Sequence, residues 1–132
     1  MKLVSIGYLE GFYYRPRVDK ALLRKYNEGL ICTSACLAGE ITQFAVQNDY
    51  ESAKKAVLEY AEIFPDRFYI EIQNHQIPEE IATHSLLKKL SEELNIPLVA
   101  TNDCHYALEE HWEAHDVLFC LGTDKNRSDQ NR

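Results

Sequence analysis

The 132-residue sequence has no run of apolar residues long enough to cross a bilayer, which excludes a membrane-spanning helix. Its first residues, MKLVSIGYLEGFYY, contain neither a clean apolar block nor a small-residue cleavage site, so we expect an amphipathic helix there and no signal peptide. The four cysteines, Cys32, Cys36, Cys104 and Cys120, form no CxxC pair. In the absence of an export signal, we expect reduced thiols and a cytoplasmic protein.

The motifs of nucleotide-cofactor and serine chemistry are also missing, since the sequence has no G-x-G-x-x-G, no P-loop and no G-x-S-x-G. The net charge is −7, yet residues 1–25 carry +4 and the remaining residues carry −11. An acidic body is a poor general platform for nucleic acid, because phosphate neutralisation dominates such binding. The basic stretch RPRVDKALLRKY could contact a phosphate backbone, although a solvated helix face is the simpler explanation.

Hydrophobic periodicity predicts short strands that alternate with helices. Helices are expected in residues 15–29, 37–48, 50–64, 78–95 and 108–122, and strands in residues 30–34, 67–73 and 97–101. Pro16 and Pro78 suit the first turns of two of these helices, and the strand at 97–101 is apolar enough to be buried. This order predicts an α/β fold with a mostly parallel sheet flanked by helices.

Residues with metal-binding chemistry follow the predicted strands. Cys36 comes after the first strand, His75 after the second, and Asp103 and His105 after the third. Sites in parallel α/β folds form at the carboxyl ends of strands, which favours a site here. In an extended chain Asp103 and His105 would point the same way, and a carboxylate with an imidazole can ligate Zn, Mn or Fe. Alternatively, Asp103 caps the next helix and His105 packs beside it.

The remaining cysteines and histidines have simpler interpretations. Cys36 could be a third ligand as a thiolate, but most free cysteines are small buried hydrophobes. Cys32 lies inside a predicted strand and Cys120 in an apolar helical run, so both are expected in the core. His111 and His115 are four apart on a helix, but the glutamate between them is misplaced for H-E-x-x-H, so we expect a surface or packing pair.

Three longer strings indicate a protein family more specifically than the spacing of single residues does. They are YLEGFYYRPRVDKALLRKYNEGLICTSACLAGEI, RFYIEIQNHQIPEE and IPLVATNDCHYALEEHWEAHDVLFCLGT. Together they closely resemble the PHP (polymerase and histidinol phosphatase) domain of the alpha subunit of bacterial replicative DNA polymerase III. The resemblance implies a distorted (β/α)7 barrel with a metal cluster at the carboxyl ends of its strands. It also implies that Cys36 in ACLAGE, and Asp103 and His105 in NDCHY, are ligands of a divalent metal, Zn or Mn.

The chain also departs from the family pattern. The family's H-x-H strand, its other histidine and acidic ligands, and the catalytic aspartates of the polymerase palm do not occur in this sequence. We therefore expect a fragment in which residues 1–122 are the C-terminal portion of a PHP domain, with the N-terminal part of the barrel missing. Residues 123–132 would be a polar linker toward an absent polymerase region. Such a fragment alone is expected to be inactive and to bind metal weakly.

The resemblance implies a function for the parent protein. This would be a DNA-directed DNA polymerase that uses Mg in replication and works with DNA, a proofreading exonuclease subunit and a sliding clamp. The PHP region would supply a metal site for phosphodiester hydrolysis as a 3′→5′ exonuclease, or would serve as a structural docking domain. The alternatives are a stand-alone PHP metallophosphoesterase related to histidinol phosphatase and a non-catalytic binding module.

Overall fold

A computed structural model describes residues 1–129, and the chain divides into two compact units, residues 1–101 and the residues from Asn102 onward. No helix among the described residues is long and apolar enough to cross a membrane. The elements of the first unit follow the order expected from the sequence, with shorter bounds. They are α1 (Lys2–Leu9), α2 (Lys20–Tyr26), β1 (Cys32–Thr33), α3 (Glu40–Val46), α4 (Tyr50–Ile63), β2 (Phe68–Ile72), α5 (Pro78–Leu94) and β3 (Leu98–Ala100).

The sheet of the first unit is parallel, and β2 is its central strand. Thr33 of β1 lies opposite Tyr69, and Ala100 of β3 lies opposite Ile72. Helices α3 and α4 connect β1 to β2, and α5 connects β2 to β3. The expected α/β fold with parallel strands flanked by helices is therefore confirmed. Three strands do not close a barrel, so the (β/α)7 barrel expected from the resemblance stays a prediction.

The core lies where α3, α4 and α5 pack together and where α4 and α5 cover β2. Phe68 and Ile70 supply the apolar face of β2, and Ile70 is completely buried. The alternation of apolar and polar residues in β2 is the reason, because side chains two apart point to one face of a strand. Phe64, which directly follows α4, is also buried in this core. The helices contribute the remaining members of the core, which are Ile41, Ala45, Ala53, Ala56, Val57, Ile63, Leu87 and Leu90.

Side-chain caps decide where two of the helices begin. Helix α2 begins at Lys20, because the Asp19 carboxylate accepts a hydrogen bond of 2.8 Å from the Leu22 backbone N–H. The expectation of a helix from residue 15 with Pro16 in its first turn is therefore wrong, since the cap is Asp19. Asp49 caps α4 in the same way through the Ser52 N–H at 3.0 Å. Pro78, by contrast, does occupy the first turn of α5, as predicted.

Strand β3 differs from its prediction in burial. It forms within the predicted range, but Leu98 is 40% exposed, and Leu98 and Ala100 both face solvent. The helices that cover the sheet pack mainly on β2, and β3 pairs with β2 alone. The apolar composition of the segment is typical of a strand covered by helices on both faces, which is why the sequence suggested burial.

The second unit contains the predicted last helix. One turn of 3₁₀ helix, Glu109–His111, leads into α6 (Trp112–Thr123). Asp124 ends α6 in the left-handed conformation, and the Lys125 N–H donates to the Cys120 carbonyl at 3.0 Å. Arg127 then donates to Asp116 at 3.0 Å, so the start of the predicted linker folds back on α6. The last three residues of that linker, 130–132, lie outside the described residues.

The central position of Ile70 gives a testable prediction. Ile70→Ala removes a fully buried side chain beneath α4 and α5, so it should lower the free energy of unfolding by about 2–5 kcal/mol. Ile31→Ala is the matched control, because Ile31 is 71% exposed and should change stability by less than about 0.5 kcal/mol. Urea unfolding followed by circular dichroism measures both, and equal effects would contradict the packing of β2 described above.

Candidate metal centre

The carboxyl ends of the three parallel strands lie along one edge of the sheet in the first unit. Ser34, Ala35 and Cys36 follow β1, Gln73 and the histidine at 75 follow β2, and Thr101 follows β3. A small cleft at this edge is lined by Cys36 and by polar side chains, among them Thr42, Glu71, Gln73, Glu80 and His84. Of the residues with metal-binding chemistry expected after the strands, Cys36 lines this cleft and His75 follows β2.

The Glu71 carboxylate connects all three strand ends. It accepts hydrogen bonds from the Thr33 hydroxyl at 2.5 Å, from the Gln73 amide at 3.1 Å, from the Thr101 hydroxyl and from the Ala35 backbone N–H. Partial burial alone would raise the pKa of Glu71, but these donors outweigh it and lower the pKa below the ordinary value. We call Thr33, Ala35, Glu71, Gln73 and Thr101 the strand-end network.

Cys36 is half-buried in the turn that follows β1. Ala35, just before it, has a left-handed backbone with φ of +65°, which is uncommon for alanine. The Gly39 N–H donates to the Cys36 carbonyl at 2.9 Å and closes the turn. A Cβ on Gly39 would lie 2.3 Å from the Ser34 carbonyl oxygen, so no side chain fits there. The string ACLAGE therefore encodes a tight backbone turn that fixes the position of the thiol.

His75 and Glu80 form a pair that sequence analysis did not identify. The His75 Nδ1–H donates to one Glu80 oxygen at 2.9 Å, and the His75 backbone N–H donates to the other at 2.8 Å. The Glu80 side chain is only 7% exposed. His84, which carried no signal in the sequence, donates from Nε2 to the Gln73 carbonyl at 2.9 Å, because a carbonyl can only accept. The spacing H-x₄-E across a turn could have suggested the first pair.

Asp103 and His105 belong to the second unit. Strand β3 ends at Ala100, and Asp103 has a left-handed φ of +49°, so the premise that these residues continue an extended strand is wrong. A carboxylate residue tolerates this conformation better than most. The His105 Nδ1–H donates to the Asp103 carbonyl at 2.7 Å. Because Nδ1 carries the proton in that bond, Nε2 of the neutral ring holds the lone pair that a metal would need.

Aromatic contacts hold the His105 ring inside the second unit. The ring lies edge-on to His115 with centroids 5.6 Å apart, and Tyr106 lies 5.3 Å from the same His115 ring. His115 therefore packs, as the sequence suggested for the His111–His115 pair. Its proximity to His105 was not predicted, because nothing in the spacing of the two residues shows how the chain turns between them.

The donor set suits a divalent metal in its chemistry. A thiol, a carboxylate and a neutral imidazole are groups that zinc accepts. Within residues 1–129, no three histidine, cysteine, aspartate or glutamate side chains lie close enough together to hold a metal ion. Cys36 belongs to the first unit and the other two predicted ligands to the second, so their convergence stays a prediction.

The other cysteines are free thiols with different surroundings. Cys32 is partly buried against the core, as expected, and burial raises the pKa of its thiol. Cys120 is buried, also as expected, whereas Cys104 is exposed. An exposed thiol next to the predicted ligand Asp103 provides a useful control for substitutions.

Two cations of the basic stretch before α3 are paired with acidic side chains. Lys20 donates to Glu40 and to Glu59, both at 2.8 Å, and Arg24 contacts Glu59 and Glu62 at 3.2 Å. These pairs attach α2 to α3 and α4. Two of the cations that could have contacted a phosphate backbone are therefore neutralised within the first unit.

Comparison with known proteins identifies the family of this chain. The PHP domain family model matches residues 1–75, which is more than half of the chain. The chain therefore belongs to the PHP domain family, and the resemblance inferred from the three sequence strings is confirmed.

Named relatives match the chain over its whole length. DNA polymerase III subunit alpha from Borreliella burgdorferi is 48% identical over 132 residues, and the protein of that name from Treponema pallidum is 47% identical over 133 residues. The protein of that name from Thermus aquaticus is 42% identical over 132 residues. The match covers all of the chain but only 11–12% of each of these relatives.

The His75–Glu80 pair gives a prediction about acid stability. Hydrogen bonds from the His75 side chain and backbone lower the pKa of Glu80 below its ordinary value of about 4.3. The charged carboxylate therefore stabilises the fold above that pH, and the stabilisation is lost as pH falls through the lower folded-state pKa. Glu80→Gln should reduce the free energy of unfolding at pH 7 and flatten its decline below pH 5.

Urea unfolding at several pH values between 3 and 7 measures this effect. Glu79→Gln is the matched control, because Glu79 is the exposed neighbour in the same first turn of α5. Its unfolding curve should follow the wild type. If the free energy of unfolding of Glu80→Gln declined with acid as steeply as that of the wild type, the His75–Glu80 pair would not stabilise the turn between β2 and α5.

Proposed function

We propose that the chain is part of the alpha subunit of a bacterial DNA polymerase III, a DNA-directed DNA polymerase of replication. The observation that carries this proposal is the match to a relative of that name, which is 48% identical over all 132 residues of the chain. The complete product of the gene would extend primers with deoxynucleoside triphosphates and Mg. Its partners would be DNA and other replisome subunits, including a proofreading exonuclease subunit and a sliding clamp, in the cytoplasm.

The fold of the complete domain is part of the same proposal. The parallel β1–β2–β3 sheet with its helical connections would be one portion of a (β/α)7 barrel, with residues 1–122 inside the domain and residues 123–132 leading out of it. The parallel pairing and the helical crossovers support this view, because βα units of this kind are the ones that close into barrels.

The metal site proposed for the PHP region would use Cys36, Asp103 and His105 to hold Zn or Mn. When bound, such metals supply an activated water and neutralise charge on the scissile phosphate of a phosphodiester. Gly39 and the strand-end network would fix the Cys36 thiol at the sheet edge. The Asp103 carbonyl would hold the His105 ring in the tautomer that presents Nε2. With these three ligands alone, the 132-residue chain would bind metal weakly and be inactive.

The reaction that we propose for this site is 3′→5′ hydrolysis of phosphodiesters during proofreading, because the three proposed ligands suit a metal that activates water. A purely structural role, in which the domain docks a separate exonuclease subunit, would need none of the three ligands. The stand-alone phosphoesterase is disfavoured, because the relatives that match the whole chain are polymerase subunits.

Substitution of the proposed ligands in the complete gene product tests the function. Each of the substitutions Cys36→Ser, Asp103→Asn and His105→Gln should weaken the affinity for Zn or Mn by about 10-fold or more, and so lower the amount of bound metal. Each should also remove 3′→5′ hydrolysis of a labelled primer. Primer extension with Mg should persist, since it uses other residues. Metal content is measured by mass spectrometry, and both reactions by gel electrophoresis.

Two controls match these substitutions. Cys104→Ser and His111→Gln change exposed residues of the same kinds close in sequence to Asp103 and His105, and they should leave metal content and hydrolysis unchanged. Absence of primer extension in the wild-type gene product would overturn the polymerase assignment. Persistence of hydrolysis in all three ligand variants would overturn the metal site.

A further inference from the structure

Within residues 1–129 the side chain of the proposed ligand Cys36 forms no hydrogen bond, and hydrogen bonds made by neighbouring residues hold its turn in place. Thr33 and Ala35 precede it in the chain, and both donate hydrogen bonds to the Glu71 carboxylate on the adjacent strand. Ala35 has a left-handed backbone, which an alanine adopts only where surrounding contacts enforce it. The direction in which the chain leaves β1 toward Cys36 is therefore tied to Glu71.

The other side of the same carboxylate holds the end of β3. The Thr101 hydroxyl donates to Glu71 Oε1, and the Gln73 amide reaches both that oxygen, at 3.1 Å, and the Thr101 hydroxyl, at 3.1 Å. Thr101 is the last residue of the first unit, and Asp103 follows two residues later in the chain. The Glu71 backbone N–H also donates to the Ser34 hydroxyl at 2.8 Å, which adds a second tie to β1.

A half-buried carboxylate with donors from all three strands is more than ordinary sheet stabilisation requires. Backbone bonds of the parallel ladder already pair β2 with both neighbours. The hydrogen bonds to the Glu71 carboxylate lie at the ends of the strands, just before the segments that contain the proposed ligands. Each donor bonds to an ionised acceptor, and such charge-assisted bonds are stronger than neutral ones.

We propose that Glu71 is a positioning residue for the metal centre, which orients the Cys36 turn and the end of β3 without itself binding metal. This inference rests on the proposed function, because it assumes that Cys36 is a ligand. Supporting residues of this kind commonly change metal affinity by 10- to 100-fold when they are replaced. Glu71→Gln keeps the size of the side chain but replaces one acceptor oxygen with a donor, which would face the hydroxyl and amide donors of its neighbours.

The test uses cobalt(II) as the probe in the complete gene product, because a bound thiolate gives cobalt a charge-transfer absorption. The wild type should show this band, and Cys36→Ser should lose it. Glu71→Gln should weaken cobalt affinity by about 10- to 100-fold and reduce or shift the band, while the protein stays folded by circular dichroism. Thr33→Val removes a single donor and should cause a smaller loss in the same direction, which keeps the test decisive if Glu71→Gln fails to fold.

The matched control is Glu93→Gln. Glu93 also accepts hydrogen bonds from two side chains, Tyr50 and Lys54, but it lies on α5 away from the strand ends. Its replacement should leave the cobalt band and affinity unchanged. A wild type without a Cys36-dependent band would overturn the proposed metal site itself. A normal wild-type band that Glu71→Gln and Thr33→Val leave unchanged in position and affinity would overturn the role of Glu71 alone.

Discussion

The parallel pairing of β2 with both of its neighbours is the constraint on which the rest of the first unit depends. Parallel strands end at the same edge, so the polar residues that follow β1, β2 and β3 meet there regardless of their distance in sequence. The same pairing leaves Phe68 and Ile70 facing the helices, where they form the middle of the core. One strand thus organises both the apolar interior and the polar edge.

Glu71 shows how the two roles are combined within β2. Its neighbours Ile70 and Ile72 point to the opposite face, as strand geometry requires, which leaves Glu71 on the face where Thr33 and Thr101 are adjacent. A carboxylate in this position would be costly without donors, because burial opposes its charge. The hydroxyls, the amide and the Ala35 N–H satisfy it, and the charge then becomes the acceptor that joins three strands.

Much of this architecture could be predicted from local patterns. The order of helices and strands follows from periodicity, and the position of Cys36 at a strand end follows from the order alone. The start of α2 could not be predicted from Pro16, because Asp19 competes as a cap and its hydrogen bond decides the boundary. The H-x₄-E spacing could have suggested the His75–Glu80 pair, but the contact between His105 and His115 depends on how the chain turns between them, which the sequence does not reveal. The left-handed Asp103 likewise breaks the alternation that strand reasoning assumes.

The turn that carries Cys36 is held by hydrogen bonds on one side and by close steric packing on the other. Before the cysteine, Thr33 and Ala35 bond to an ionised carboxylate, which protons can neutralise. After it, Gly39 approaches the Ser34 carbonyl so closely that the backbone is confined by shape, and this contact itself involves no titratable group. Acid can therefore reach only one side of the turn. Even on that side the Ser34 backbone N–H, which donates to the Tyr69 carbonyl at 3.0 Å, keeps the chain attached to β2 when the carboxylate is neutralised.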